Sequence, residues 1–130
     1  MKQSEKNILI RTMLQVSKKM PNVTLFRQDV GSAWNGDVTK PSPGVVLIKK
    51  ARFVRYGLTK GSCDLIGWKT VEITPDMVGK KVAVFVGIEM KTKRGTTTED
   101  QEIFIRNLSE AGGLVGVARS PEDALKILED

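Results

Sequence analysis

The chain has 130 residues, one cysteine, no histidine, and 21 Lys plus Arg against 15 Asp plus Glu, for a net charge of +6. A single cysteine excludes an internal disulfide and a multi-cysteine zinc site, and the longest apolar stretch, about ten residues, is well short of the ~20 that cross a bilayer. The length predicts one domain, 1–130, able to bury a core without staples, and the start Met1-Lys2-Gln3-Ser4-Glu5 lacks a signal-peptide pattern, so a cytoplasmic protein is expected.

Leu9, Met13, Val16 and Met20 recur at helical spacing behind Ser4 as N-cap, predicting a helix from about Ser4 to Met20 that Pro21 ends. Glu5 falls in the first turn of the inward stripe, a position explained equally by the helix dipole or by a nearby site. Val23 to Arg27 predicts a strand. Gly31 to Gly44, with Asn35-Gly36 and Pro41-Ser42-Pro43, reads as a loop, and Val45 to Tyr56 as β. Gly61-Ser62-Cys63-Asp64-Leu65-Ile66-Gly67 reads as a strand carrying Asp64, with Cys63 as a small buried hydrophobe. A short strand at Val71-Glu72-Ile73 and a buried strand at Val82 to Ile88 follow. The latter runs into Glu89-Met90-Lys91, which sets a carboxylate and an ammonium where apolar side chains are expected.

Thr98 and Gln101 have capping-box spacing at the head of a helix from Glu99 to Ala111, in which Phe104, Ile105 and Leu108 form the inward stripe before Gly112-Gly113. Leu114 to Ala118 predicts a core strand. Ser120-Pro121-Glu122-Asp123 opens a last helix docked by Leu125 and Leu128. The order predicts a mixed α/β domain with a central β-sheet flanked by helices.

No acidic residue lies between Asp37 and Asp64, a span that holds Lys40, Lys49, Lys50, Arg52, Arg55 and Lys60. Charge alone leaves two readings, a solvated basic face or a polyanion site. Trp34 and Trp68 read as core or rim packing, with junction wedges or dimer contacts as alternatives.

Side chains alternate along a strand, so Glu89 and Lys91 share one face and Met90 the other. If Asp64 stands on a paired strand, its carboxylate, that of Glu89 and the Met90 carbonyl form an oxygen donor set suited to Mg²⁺ or Mn²⁺. A lysine beside such an ion fits metal-dependent hydrolysis of a phosphodiester.

Glu5, Gly61 to Gly67, Ile88-Glu89-Met90-Lys91-Thr92, Gln101 with Phe104, Gly112-Gly113 and Val117-Ala118-Arg119-Ser120-Pro121-Glu122-Asp123-Ala124-Leu125 together resemble the stand-alone VRR-NUC domain of the PD-(D/E)xK nuclease superfamily. The resemblance implies a restriction-endonuclease-like core, Asp64 and Glu89 as metal ligands, Lys91 as catalytic lysine, Gln101 as a supporting polar residue and Glu5 as a more distant contributor. Cys63 stands where the superfamily has proline, a place where related members also accept a small residue. Small proteins of this type are similar to Holliday-junction resolvases that act as homodimers on branched DNA, many of them from phages, which implies a bacterial or phage-infected cytosol.

The basic residues Lys49, Lys50, Arg52, Arg55, Lys60, Lys93 and Arg94 would then hold backbone phosphates. Two other readings stay open: a flap, nick or single-strand nuclease of the same fold, and a nucleic-acid-binding module that does not cut. Symmetric cuts separate the resolvase from the first, and binding without cleavage marks the second.

Overall fold

The computed structural model describes residues 4–129. Met1, Lys2, Gln3 and Asp130 lie outside the described residues, and with them the start of the segment read for targeting signals. Helix α1 (Glu5–Lys19), strands β1 (Val23–Arg27), β2 (Gly31–Ser42), β3 (Val45–Tyr56), β4 (Leu65–Lys69) and β5 (Val86–Met90), helix α2 (Glu99–Glu110), strand β6 (Leu114–Ala118) and helix α3 (Pro121–Glu129) follow in that order. The mixed α/β class is as the pattern predicts. No helix among the described residues is long and apolar enough to cross a membrane.

The chain divides into two compact units. One comprises 1–14 and 25–66, the other 15–24 and 67–130. Strands β1 and β4 pair.

In the first unit, β2 and β3 form a long antiparallel hairpin. The predicted loop over 31–44 is therefore a strand for most of its length. Its breakers act differently in place. Pro43-Gly44 alone makes the turn, with Ser42 opposite Val45 and Gly44 at φ +77°, the conformation that glycine adopts without steric cost. Asn35-Gly36 is not a turn but a bulge, because Lys50 and Ala51 both face Gly36 and Lys50 takes φ +52°. A Cβ on Gly36 would lie 2.6 Å from the Lys49 carbonyl oxygen, so the bulge closes only over glycine. Pro41 is tolerated because this strand is an edge.

In the second unit, β5 and β6 pair in parallel, from Val86 opposite Leu114 to Met90 opposite Ala118. Helices α2 and α3 both pack on this pair. Among the described residues Leu108 and Ala118 are the fully covered hydrophobes, and Trp68 meets Phe85 and Phe104 edge-on at 5.3 and 6.0 Å. Trp68 thus packs as predicted. Helix α3 docks differently from the prediction: Leu125 and Leu128 are exposed, and Ile127 fills the space where Gly116 has no side chain. Phe104 is also partly exposed, so the inward face of α2 centres on Leu108.

Two strand predictions need correction. Val71-Glu72-Ile73 is irregular and leads into a single 3₁₀ turn at Pro75–Met77, since Pro75 cannot donate to a ladder. The apolar run from Val82 becomes a strand only at Val86, where β6 supplies a partner, and Val82 and Val84 are about half exposed.

Candidate active site

Strand β5 delivers its charges at the end of the parallel ladder. Lys91 N–H still donates to the Ala118 carbonyl at 3.0 Å, so the backbone stays extended one residue beyond Met90. Alternation then puts Glu89 and Lys91 on one face, with Lys91 Nζ 3.5 Å from Glu89 Oε1, while Met90 is exposed. The side chains of Lys91 and Glu89 are 18% and 31% exposed, so the pair is half-buried rather than sealed. Part of the desolvation cost of a buried ion pair is avoided, and the carboxylate stays reachable from solvent.

Gln101 comes to the same carboxylate from α2. Its Nε2 donates to Glu89 Oε1 at 2.8 Å, while its Oε1 accepts from the Thr98 backbone N–H at 2.9 Å. Thr98 Oγ1 in turn accepts from Gln101 N at 3.2 Å, completing the capping box. The capping and supporting readings of Gln101 are thus compatible, because one amide does both with its two ends. Both contacts to Glu89 fall on Oε1, and among the described residues no side-chain hydrogen bond falls on Oε2. Glu89 and Gln101 open on a cavity of about 310 Å³ also lined by Asp100 and Phe104.

Peptide geometry orients a further oxygen. The Met90–Lys91 peptide is trans, so its carbonyl points opposite to its N–H. With that N–H aimed at β6, the Met90 carbonyl faces away from β6, free of this ladder. A carboxylate oxygen and a main-chain carbonyl are donors that suit a hard divalent cation. No group of three or more His, Cys, Asp or Glu able to hold a metal occurs among the described residues.

Asp64 lies in the first unit, immediately before β4 rather than within a strand. Strand β4 pairs with β1, and β5 with β6. Asp64 shares a cavity of about 490 Å³ with Glu5, Asp29, Arg27 and Lys6. Glu5 and Asp64 are therefore brought together at this cavity. Cys63, predicted buried, is exposed, because it precedes β4 and contributes no side chain to a sheet face.

The basic residues are spread over several elements. Lys49, Lys50, Arg52 and Arg55 lie on β3, Lys60 in the turn after it, and Lys93 and Arg94 in the turn that follows Lys91. Lys50 approaches Asp37 at 3.8 Å, with both side chains largely exposed, a contact of little energetic weight.

Two residues that the sequence reading left without a role hold these segments in place. Gln28 N–H donates to the Asp64 carbonyl at 2.8 Å, and Gln28 Nε2 donates to Ser62 Oγ at 2.7 Å and the Cys63 carbonyl at 3.0 Å. Arg119 Nη1 donates to the Thr92 carbonyl and, at 2.8 Å, to the Gly95 carbonyl, bracing the turn that leaves Lys91. Gln28 has no sequence signal, since its effect depends on a loop segment some 30 or more positions along the chain. Arg119 sits beside the N-cap Ser120, and a cation at that place is the available clue.

Searches of curated proteins and of solved structures found no match. The family model described as the VRR-NUC domain matches residues 3–122, nearly the whole chain. The extent of that match, spanning Glu5, Asp64, Glu89, Lys91 and Gln101, places this chain in the VRR-NUC family, whose members are nucleases of the PD-(D/E)xK type with a restriction-endonuclease-like fold.

Proposed function

We propose that this chain is a divalent-metal-dependent, structure-selective DNA endonuclease that cuts branched DNA, four-way junctions above all, as a homodimer. The observation that carries the reading is the contact set at the end of β5: Glu89 held by Gln101 at 2.8 Å with Lys91 at 3.5 Å, in a chain of a nuclease family.

In this reading Asp64, Glu89 and the Met90 carbonyl would hold Mg²⁺ or Mn²⁺, and such an ion would supply Lewis-acid polarisation of a phosphate and charge compensation. Lys91 orients the attacking water or neutralises the phosphoryl oxygens. Gln101 fixes the Glu89 carboxylate, and Glu5 acts beside Asp64. Lys49, Lys50, Arg52, Arg55, Lys60, Lys93 and Arg94 contact phosphates by charge and shape. Dimerisation has a geometric motive, since two opposed cuts need two sites and a two-fold axis supplies them. The protein works in the cytoplasm, as a single nuclease domain.

Labelled four-way junction, flap and linear duplex, each incubated with Mg²⁺, Mn²⁺ or EDTA, test this directly. Paired symmetric cuts in the junction that need metal are the expected result. Preferential cutting of the flap would shift the substrate, and a mobility shift without cleavage under every metal would remove the nuclease assignment.

Gln101→Glu separates the two duties of that side chain. A glutamate at this position keeps the capping box but sets a second carboxylate against Glu89. The expected outcome is at least about tenfold slower cleavage with a melting midpoint close to that of the parent, read by single-turnover kinetics and circular dichroism.

A further inference from the structure

We propose that the β2–β3 hairpin is a stacking platform for unpaired bases, with Trp34 and Phe53 as its contact residues. The inference takes only the class of polymer from the nuclease reading.

The ladder register sorts the hairpin into two faces. Trp34 opposite Phe53, Ser32 opposite Arg55 and Val38 opposite Ile48 share one face. Asn35 opposite Arg52, Asp37 opposite Lys49 and Thr39 opposite Leu47 share the other. The bulge at Gly36 lets this division hold along both arms, since the extra residue on β3 is absorbed there. Trp34 is 60% exposed and Phe53 55%. The two rings are not loose. They meet edge-on with centroids 5.3 Å apart at 64°, which holds both in place before anything binds.

Charge selects the occupant. The hairpin carries Lys40, Lys49, Lys50, Arg52 and Arg55 against Asp37 as its sole acid. Covering the aromatic face with the same hairpin from a second copy would set two cationic ribbons against each other. A nucleic acid strand reverses that sign. Arg55 lies two residues from Phe53 on the same face, so a strand whose base stacks on the aromatic pair has a guanidinium within reach of its phosphate. Aromatic side chains tolerate any base, because each base has a π-face, so the platform discriminates unpaired from paired nucleotides rather than one sequence from another. Frayed or single-stranded segments at a branch point are the feature it would recognise.

The test measures binding in EDTA, so that cleavage does not enter. Full-length protein is titrated with an oligothymidylate and with a blunt duplex of equal length. Trp34→Ala is expected to weaken oligothymidylate binding about tenfold and duplex binding less than about twofold, with Trp34→Phe restoring most of the loss. In the Trp68→Phe protein, where Trp34 is the remaining tryptophan, oligothymidylate is expected to quench the emission and blunt duplex to leave it nearly unchanged. Equal losses on both ligands, or no loss, would overturn the proposal. So would a Trp34→Ala protein that sediments as monomer where the parent is a dimer while binding oligothymidylate as before, which would assign the face to a second copy. A parent that binds but never cuts with Mg²⁺ or Mn²⁺ would defeat the nuclease reading and leave this result readable.

Discussion

Lys91→Ala is expected to lower junction cleavage by at least about 10²- to 10³-fold while leaving junction binding within a few-fold of the parent. The asymmetry follows from position. Lys91 Nζ sits 3.5 Å from Glu89 Oε1 and is 18% exposed, so its charge is directed at the carboxylate rather than at open solvent where a DNA backbone would pass. The phosphate contacts proposed for the β3 cations and for Lys93 and Arg94 persist in the variant. Single-turnover cleavage and a binding isotherm in Ca²⁺ or EDTA give the two numbers. Turnover equal to the parent would take Lys91 out of the mechanism, and a parallel loss of binding would make it a grip residue.

The largest effect on stability is expected from Leu108→Ala. Leu108 is fully buried, and its methyl groups occupy the room left by Gly87 and Gly113, so no side chain stands ready to collapse into the vacancy. A loss of about 3 kcal/mol is expected, with a thermal midpoint lower by roughly 10 °C. Leu125→Ala, at a side chain 58% exposed, is the control and is expected to cost less than about 0.5 kcal/mol. Equal midpoints for the two variants would show that the α2 contact with β5 and β6 is not the core of its unit.

Local chemistry made much of this fold readable in advance. Pro21 beyond α1, the Thr98 and Gln101 box, Gly112-Gly113 and Ser120-Pro121 all mark helix ends by short-range effects, and the helices lie where those residues put them. Strands depend on a partner that the local sequence does not name. Gly31 to Ser42 looks like a loop because its glycines and prolines are turn formers, yet β3 provides a ladder that absorbs them as a bulge, an edge proline and one tight turn. Val82 to Phe85 has the opposite history: its composition favours a strand, but the ladder starts beyond it.

The site divides along the same line. Glu89, Lys91 and Gln101 were legible because two of them are neighbours on one strand and the third is fixed by its own cap. The braces from Gln28 and Arg119 were not, since each joins residues 24 or more positions apart.

In the proposed mechanism, the shared amide of Gln101 would tie catalysis to the frailest part of its helix. Helix ends open more readily than helix centres, and here the opening of a single turn would turn the Gln101 amide away from Glu89. The working range of the enzyme would then be bounded by fraying at residues 98–101 rather than by melting of the packed interior, and residues that never meet DNA, such as Thr98, would govern how warm it can run.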